Sequence, residues 1–582
     1  MPTETSPELL SSTGLEPQAH VEITTVIDDG VGPSYLNADE RAGANVNGKE
    51  SFTIDRAGLQ LTGFDAQTMQ PSPGWGGTAG QAFNVTYAFR ATAPSRMPSD
   101  TDGFQRFNST QIYQAEQALL AWSDVANITF TRVGAGFEGE TAYSDQAAIL
   151  FGDYSSGEIG SAAFANYPGS TSPFSSSGDV WVNVTAGSNA LPTLGSYGAQ
   201  VLVHETGHAI GLAHPGDYNA SANGVITYAD DAEYYEDSRQ YTVMSYFSES
   251  NTGGNYGGRY AAAPQLDDIR GAQYEYGANM TTRTGDTVYG FNSNTDREWY
   301  TATTSSSKVI FAVWDAGGRD TLDFSGYSQA GLIDLREGNF SNVGGLIGNV
   351  AIAQGAKIEN AIGGFGADTL YGNALDNQLS GNSGGDSVFA GAGRDTIDGG
   401  SGTNYLRGDD GDDSIVGGAG FDDINGNQGN DTAVSGGGDD WVVGGKDNDS
   451  LVGSGGQNLV YGNLGNDTLD GGAGADIVRG GQDNDSMTGG AGDDFMSGDK
   501  GDDTMTGEAG ADSFHSFSGA GIDRVLDFSL AQGDKVQLDP GTVFSVAQVG
   551  DDTVVTLGSS SDQVILVGVE MSTLTPGWIF GS

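Results

Sequence analysis

The 582-residue chain has no cysteine. That excludes a disulfide framework and a zinc site built on thiolates. Basic side chains are scarce: 23 Lys and Arg stand against 77 Asp and Glu, a formal net charge of −54. Phosphate binding needs Lys and Arg, so the charge balance argues against nucleic acid as a partner. Charge of one sign at this density repels itself unless counter-ions bind, and a divalent cation held by carboxylates meets that need. No apolar run reaches the roughly 18 residues of a membrane span. The start, MPTETSPELLSSTG, has neither the basic region nor the apolar core of a Sec signal peptide, so any export is expected to use another address. Histidine is also rare. Of five, His20, His204, His208, His214 and His515, three fall within eleven residues.

Composition divides the chain. Polar, Pro-rich residues 1–45 read as an extension with little core, and residues 46–279 have ordinary globular texture. Within the latter, STQIYQAEQALLAWSD (109–124) has helical apolar spacing at Ile112, Ala115, Leu119 and Trp122, and a second periodic helix is expected over about 197–212. ANITFTRV and GDVWVNVT read as strands. This mixture predicts an α+β domain. Residues 280–360 form a junction and the start of a roll domain, 361–515 a repeat array, and 516–582 a C-terminal cap.

The array repeats every nine residues. Seventeen positions spaced by nine, from Asp368 to Asp512, are all Asp or Asn; fourteen are Asp, and the exceptions are Asn377, Asn404 and Asn458. An apolar residue follows two positions after each, from Leu370 to Phe514. Gly stands five before the acid except at Ala390 and Ser435, and two before it except at Leu375, Asp447 and Asp483. The unit is GGxGxDxUx, with U apolar. Its glycines permit turns with φ > 0, its acids are hard oxygen ligands for calcium, and its apolar residue points inward from a short strand. Two units make one turn of an all-β parallel roll, so acids 18 apart stack. One column holds Asp368, Asp386, Asn404, Asp422, Asp440, Asn458, Asp476, Asp494 and Asp512; the other holds Asn377, Asp395, Asp413, Asp431, Asp449, Asp467, Asp485 and Asp503. The turns at Asn404 and Asn458 are expected to bind calcium more weakly, because Asn supplies a neutral oxygen. What Asp447 and Asp483 do in the place of turn glycines stays open.

VLVHETGHAIGLAHPGDYN carries the chemistry. On a helix, His204 and His208 lie one turn apart on one side, and adjacent Glu205 can reach a water without being a ligand. His214 can join them only if the chain turns, which Gly211 allows. Three imidazoles leave a zinc position open, as catalysis requires. The full HExxHxxGxxH pattern is that of metzincin peptidases, whose tight Met turn matches Tyr241-Thr242-Val243-Met244-Ser245-Tyr246 and places Met244 beneath the metal.

With these motifs the chain resembles the serralysin family of bacterial metalloproteases. NGKESFT, HETGHAIGLAHPGDYNA, PQLDDIRGAQYEYGAN, VWDAGGRDTLDFSGY and AKIENAIGGFGADTL carry the likeness. It implies one catalytic zinc held by His204, His208 and His214, with Tyr246 as a switchable ligand. It implies structural calcium at Arg283, Gly285, Thr287, Asp315, Gly317, Gly318, Asp320 and Glu359, besides Asp368, Asp386, Asp395, Asp413, Asp422, Asp431, Asp440, Asp449, Asp467, Asp476, Asp485, Asp494, Asp503 and Asp512. It also implies a short propeptide ending between residues 15 and 30, type I export read from the C-terminus, and an extracellular monomer acting on proteins or peptides. The expected activity is broad-specificity endopeptidase hydrolysis, with Glu205 as general base, Tyr246 as a hydrogen-bond donor to the oxyanion and SAAFANY (161–167) as the edge that seats substrate. The competing expectation is a calcium-binding surface or adhesive protein with a vestigial peptidase domain, which predicts a damaged zinc motif.

Overall fold

Asn108 starts the first long helix, Ser109–Val125, by a capping box with Gln111. Its apolar stripe buries Ile112, Ala115, Leu119 and Trp122, the residues whose spacing predicted it. This helix packs on a second, Tyr197–Ile210, where the Trp122 Nε1–H donates to the Val203 carbonyl at 3.0 Å. Both cover a five-stranded sheet in the order Ile128–Arg132, Phe83–Phe89, Ile149–Tyr154, Val180–Asn183, Ala163–Ala165. The first four strands are parallel, and Ala163–Ala165 is an antiparallel edge. These observations come from a computed structural model that describes residues 35–581, apart from 44, 64–69, 72–73, 99–100, 158–161, 170–176, 219–225 and 559–560. The expected propeptide boundary lies outside the described residues. No helix among them is long and apolar enough to cross a membrane.

The repeats form two long sheets, of 15 and 12 strands, between which successive strands alternate. Pairing is parallel with an 18-residue register: Thr369 faces Ser387, and Ser387 faces Tyr405. The apolar residue of every unit, Leu370 through Phe514, points between the sheets and is at most 1% exposed. The roll starts within the junction, since Val288–Gly290 and Thr321–Asp323 already belong to the larger sheet. The cap extends both sheets and adds the antiparallel strands Phe544–Val549, Asp552–Leu557 and Gln563–Leu566.

The described part of the 1–45 extension is not loose; this corrects the expectation of little core there. Tyr35 is 3% exposed. Leu36 N–H donates to the Tyr241 hydroxyl at 2.8 Å, and Arg41 forms a buried, two-pronged pair with Asp267 at 2.9 and 3.0 Å. Tyr35 and Ala38 reach Asn342 and Asn339 of the roll. The segment ties the two regions together, as does Asp124, which pairs with Arg283 and Arg297.

Candidate metal centre and acid columns

Helix Tyr197–Ile210 is capped by Ser196 and ends at Gly211, where φ is +126°. A side chain at Gly211 would face this backbone strain and would also meet the Glu275 carboxylate, 2.6 Å from its Cβ. After this turn the chain brings His214 back to the helix. One nitrogen from each of His204, His208 and His214 lies within 4.8 Å of the others. Each Nδ1 faces a backbone carbonyl: Val243 at 2.8 Å, Leu212 at 2.7 Å and Tyr218 at 3.0 Å. A carbonyl can only accept, so each Nδ1 carries the proton and each Nε2 keeps a lone pair. Those Nε2 atoms converge, at 3.1 Å between His208 and His214 and 3.3 Å between His214 and His204. Three lone pairs facing one another repel unless a cation sits among them. Burial also holds the rings neutral, lowering His204 to about 4 and His214 to about 3, and His208 well below its usual value.

The Met turn lies beneath. Met244 is fully buried, and a Cβ on Gly207 would meet its sulfur at 2.5 Å, so helix and turn touch at a glycine. Asp268 holds the turn by accepting from the Thr242 hydroxyl at 2.5 Å and Val243 N–H at 2.7 Å. The Val243 carbonyl in turn orients His204. Asp268 is thus a positioning residue that sequence reasoning missed, because it lies far from the histidines in sequence and its segment does not show what it meets.

A cleft of about 240 Å³ opens beside the triad, lined among others by Ala163 of the edge strand, Tyr197, Gln200, Glu205, Arg239 and Tyr246. The Tyr246 ring stands 4.5 Å from the His214 ring. Glu205 is 6% exposed and its Oε2 has no hydrogen-bond partner. Burial pushes its carboxyl up to about 8, the behaviour of a group that can hold and release a proton near neutrality.

The acids of each column stand in register along the roll. Along each column the N–H of one acid donates to Oδ1 of the acid 18 residues later, as Asp395 to Asp413 and Asp413 to Asp431, at 2.8 and 2.9 Å. The second oxygen, Oδ2, is buried without a partner in Asp386, Asp395, Asp413, Asp422, Asp431, Asp440, Asp449, Asp467, Asp476, Asp485, Asp494, Asp503 and Asp512. Orphaned carboxylate oxygens in file fit a row of cations. Asp368 differs, for both its oxygens accept backbone N–H groups, from Gly331 and Gly364. Asp447 and Asp483 adopt left-handed backbone, φ +71° and +74°, where their neighbours have glycine.

Ahead of the array, several of the residues named for calcium lie near one another. Asp320 accepts from Thr287 N–H and donates its own N–H to Glu359, each at 2.8 Å; its Oδ2 is orphaned. Asp315 accepts from Gly317 N–H at 2.9 Å, and Gly318 (φ +149°) sits against the Gly285 carbonyl. The Thr287 hydroxyl donates to that same carbonyl, while the Arg283 side chain is committed to Asp124. Two further acids prolong the columns unforeseen. Asp534 Oδ1 accepts from Asp512 N–H, and Asp523, with an orphaned Oδ1, lies by Asp503. They stand 22 and 20 residues beyond their predecessors, so a period of nine does not find them.

Residues 278–415 match the family model described as Peptidase M10 serralysin C terminal. Overlapping windows from 398 to 524 match the RTX calcium-binding nonapeptide repeat. The chain is 52% identical to Serralysin C of Dickeya chrysanthemi over 338 residues, 58% of this chain and 67% of that protein. It is 46% identical to Metalloprotease AprA of Pseudomonas entomophila over 354 residues, 60% of this chain and 69% of the relative. With Serralysin of Proteus mirabilis it shares 46% identity over 334 residues, 56% of this chain and 66% of that one. Identity at this level across about two thirds of such relatives, together with the two family models, places the chain: it belongs to the serralysin family of metalloproteases, with an α+β domain followed by a roll of RTX calcium-binding repeats.

Proposed function

We propose that the protein is a secreted, zinc-dependent endopeptidase of broad specificity. The observation that carries this reading is the convergence of three Nε2 lone pairs, each fixed by an Nδ1–H donated to a carbonyl. The donor set suits zinc: neutral imidazoles from His204, His208 and His214, with Tyr246 as a displaceable fourth. When bound, the ion would supply Lewis acidity, polarising the scissile carbonyl and acidifying a water. Glu205 takes the proton of the attacking water and returns it to the leaving amine, as its raised affinity for protons suits. Tyr246, at the cleft wall, donates a hydrogen bond to the developing oxyanion. The strand Ala163–Ala165 is the last in the order of its sheet and borders the cleft, so an extended peptide can lie along it.

Calcium at the roll is structural in this reading, and the protein acts as an extracellular monomer exported by a type I apparatus. An adhesive protein with a vestigial peptidase would have no reason to keep the triad, its carbonyl partners and Glu205 in register. Casein hydrolysis tests the function. Activity should vanish with a zinc chelator in excess calcium and return with zinc; a rate indifferent to both treatments would overturn it.

A further inference from the structure

From Asp386 onward the orphaned oxygens of the first column skip two positions, and what stands there explains the gap. Each column residue has two terminal side-chain atoms. One accepts the N–H of the residue 18 earlier; at Asn404 and Asn458 this is Oδ1, bonded to Asp386 and Asp440 N–H, both at 3.0 Å. With the oxygen so committed, the amide nitrogen must face the other way, where each Asp from Asp386 onward presents its orphan. The space it faces is the same. A Cβ on Gly417 would meet Asp422 Oδ2 at 2.6 Å and the Ser435 carbonyl at 2.5 Å; on Gly471, Asp476 Oδ2 at 3.0 Å and the Gly489 carbonyl at 2.6 Å. In the Asn turns, a Cβ on Gly399 would meet Asn404 Nδ2 at 2.9 Å and the Gly417 carbonyl at 2.6 Å, and one on Gly453 would meet Asn458 Nδ2 and the Gly471 carbonyl at these same distances.

An oxygen beside an oxygen calls for a cation, whereas an N–H beside an oxygen does not. Asn404 Nδ2 lies 3.4 Å from the Gly417 carbonyl and donates to Asp422 Oδ1 at 2.8 Å, so it links its own turn to the next. Asn458 Nδ2 reaches the Gly471 carbonyl at 3.3 Å, and its side chain also bonds Asp476. This carbonyl row accepts another protein donor: Ser435, replacing a repeat glycine, bonds the Gly453 carbonyl at 2.6 Å.

We propose that the turns at Asn404 and Asn458 take no calcium ion, and that the side-chain amide does the bridging there. This goes further than weaker binding, and it rests on the reading that the remaining turns bind calcium. In the folded roll those two turns are bridged without an ion, while their neighbours are bridged only as the ion is supplied.

Calcium bound per full-length chain, measured by elemental mass spectrometry after equilibrium dialysis, tests the proposal. N404D and N458D should each gain one ion, and the double variant two. Conversely, D422N and D476N should each lose one ion and keep their strand signal in calcium. An unchanged count in folded N404D and N458D would overturn the proposal, as would an unchanged count in D422N and D476N. A wild-type chain that binds no calcium would instead sink the calcium reading itself, a distinguishable result.

Discussion

The region before residue 280 and the roll after it are held by different means. The first buries whole aromatic side chains, among them Trp122, Trp181, Tyr154, Tyr234 and Phe107. The repeat array 361–515 buries one apolar strand side chain per nine residues, often no larger than Val or Leu, and Ala433 in one unit. One such side chain stabilises by about 1.5–3 kcal/mol, while ordering each residue's backbone costs about 1–2 kcal/mol. Apolar burial can therefore fold the first region and not the second. There the buried carboxylates, which would otherwise oppose folding, bring in the ions that drive it.

Glu205→Ala breaks the comparison most sharply. It should lower peptidase turnover by about 10²–10⁴-fold while circular dichroism of the roll stays unchanged; a near wild-type rate would remove Glu205 from the mechanism. Calcium removal should do the reverse, abolishing most strand signal from residues 361–515, with recovery on calcium return. Equal strand content in calcium and in chelator would mean the roll folds unaided. Leu406→Ala, which truncates one of the two inward apolar side chains of a turn, should cost about 2–5 kcal/mol, read as a calcium folding midpoint moved upward. A midpoint within error of wild type would show that the ions alone set roll stability.

A smaller effect tests what the cation replaces. Burial, reinforced by neighbouring carboxylates, raises Asp413 and Asp485 to about 7 and Asp449 and Asp503 to about 8, from an ordinary 3.8. A carboxyl raised in the folded state favours folding when protonated. In calcium-free protein that contribution is complete below about 3.8 and lost as pH rises through 7 to 8. Strand signal without calcium should thus grow from pH 8 to pH 5; a flat profile would show that the acids are not held close enough to matter.

Much of this was legible in the sequence, for reasons that differ between the regions. A roll converts a period of nine directly into a register of 18, so Asp395, Asp413 and Asp431 could be stacked by counting. The helix converts a spacing of four into one face, which put His204 with His208. Legibility ends where the period breaks or where a partner comes from afar. Asp523 and Asp534 follow longer intervals. Asp268 meets the Met turn, and Arg41 meets Asp267, only through tertiary packing. Nor does a column of letters reveal that Asn404 turns its nitrogen toward a carbonyl, since that follows from which atom the preceding N–H has already claimed.

The ladder of N–H groups and Oδ1 atoms gives the roll a direction. Every turn's N–H is received by the turn that follows it, as Asp368 by Asp386 and Asp494 by Asp512, and the last of the first column, Asp512, by Asp534 in the cap. Peeling a turn from the beginning leaves an oxygen without its donor, and an oxygen can take up an ion. Peeling one from the end strands a buried N–H, for which no ion substitutes. The two ends are therefore unequal: the roll tolerates fraying from its start, and its cap is the keystone whose removal propagates backwards through the array.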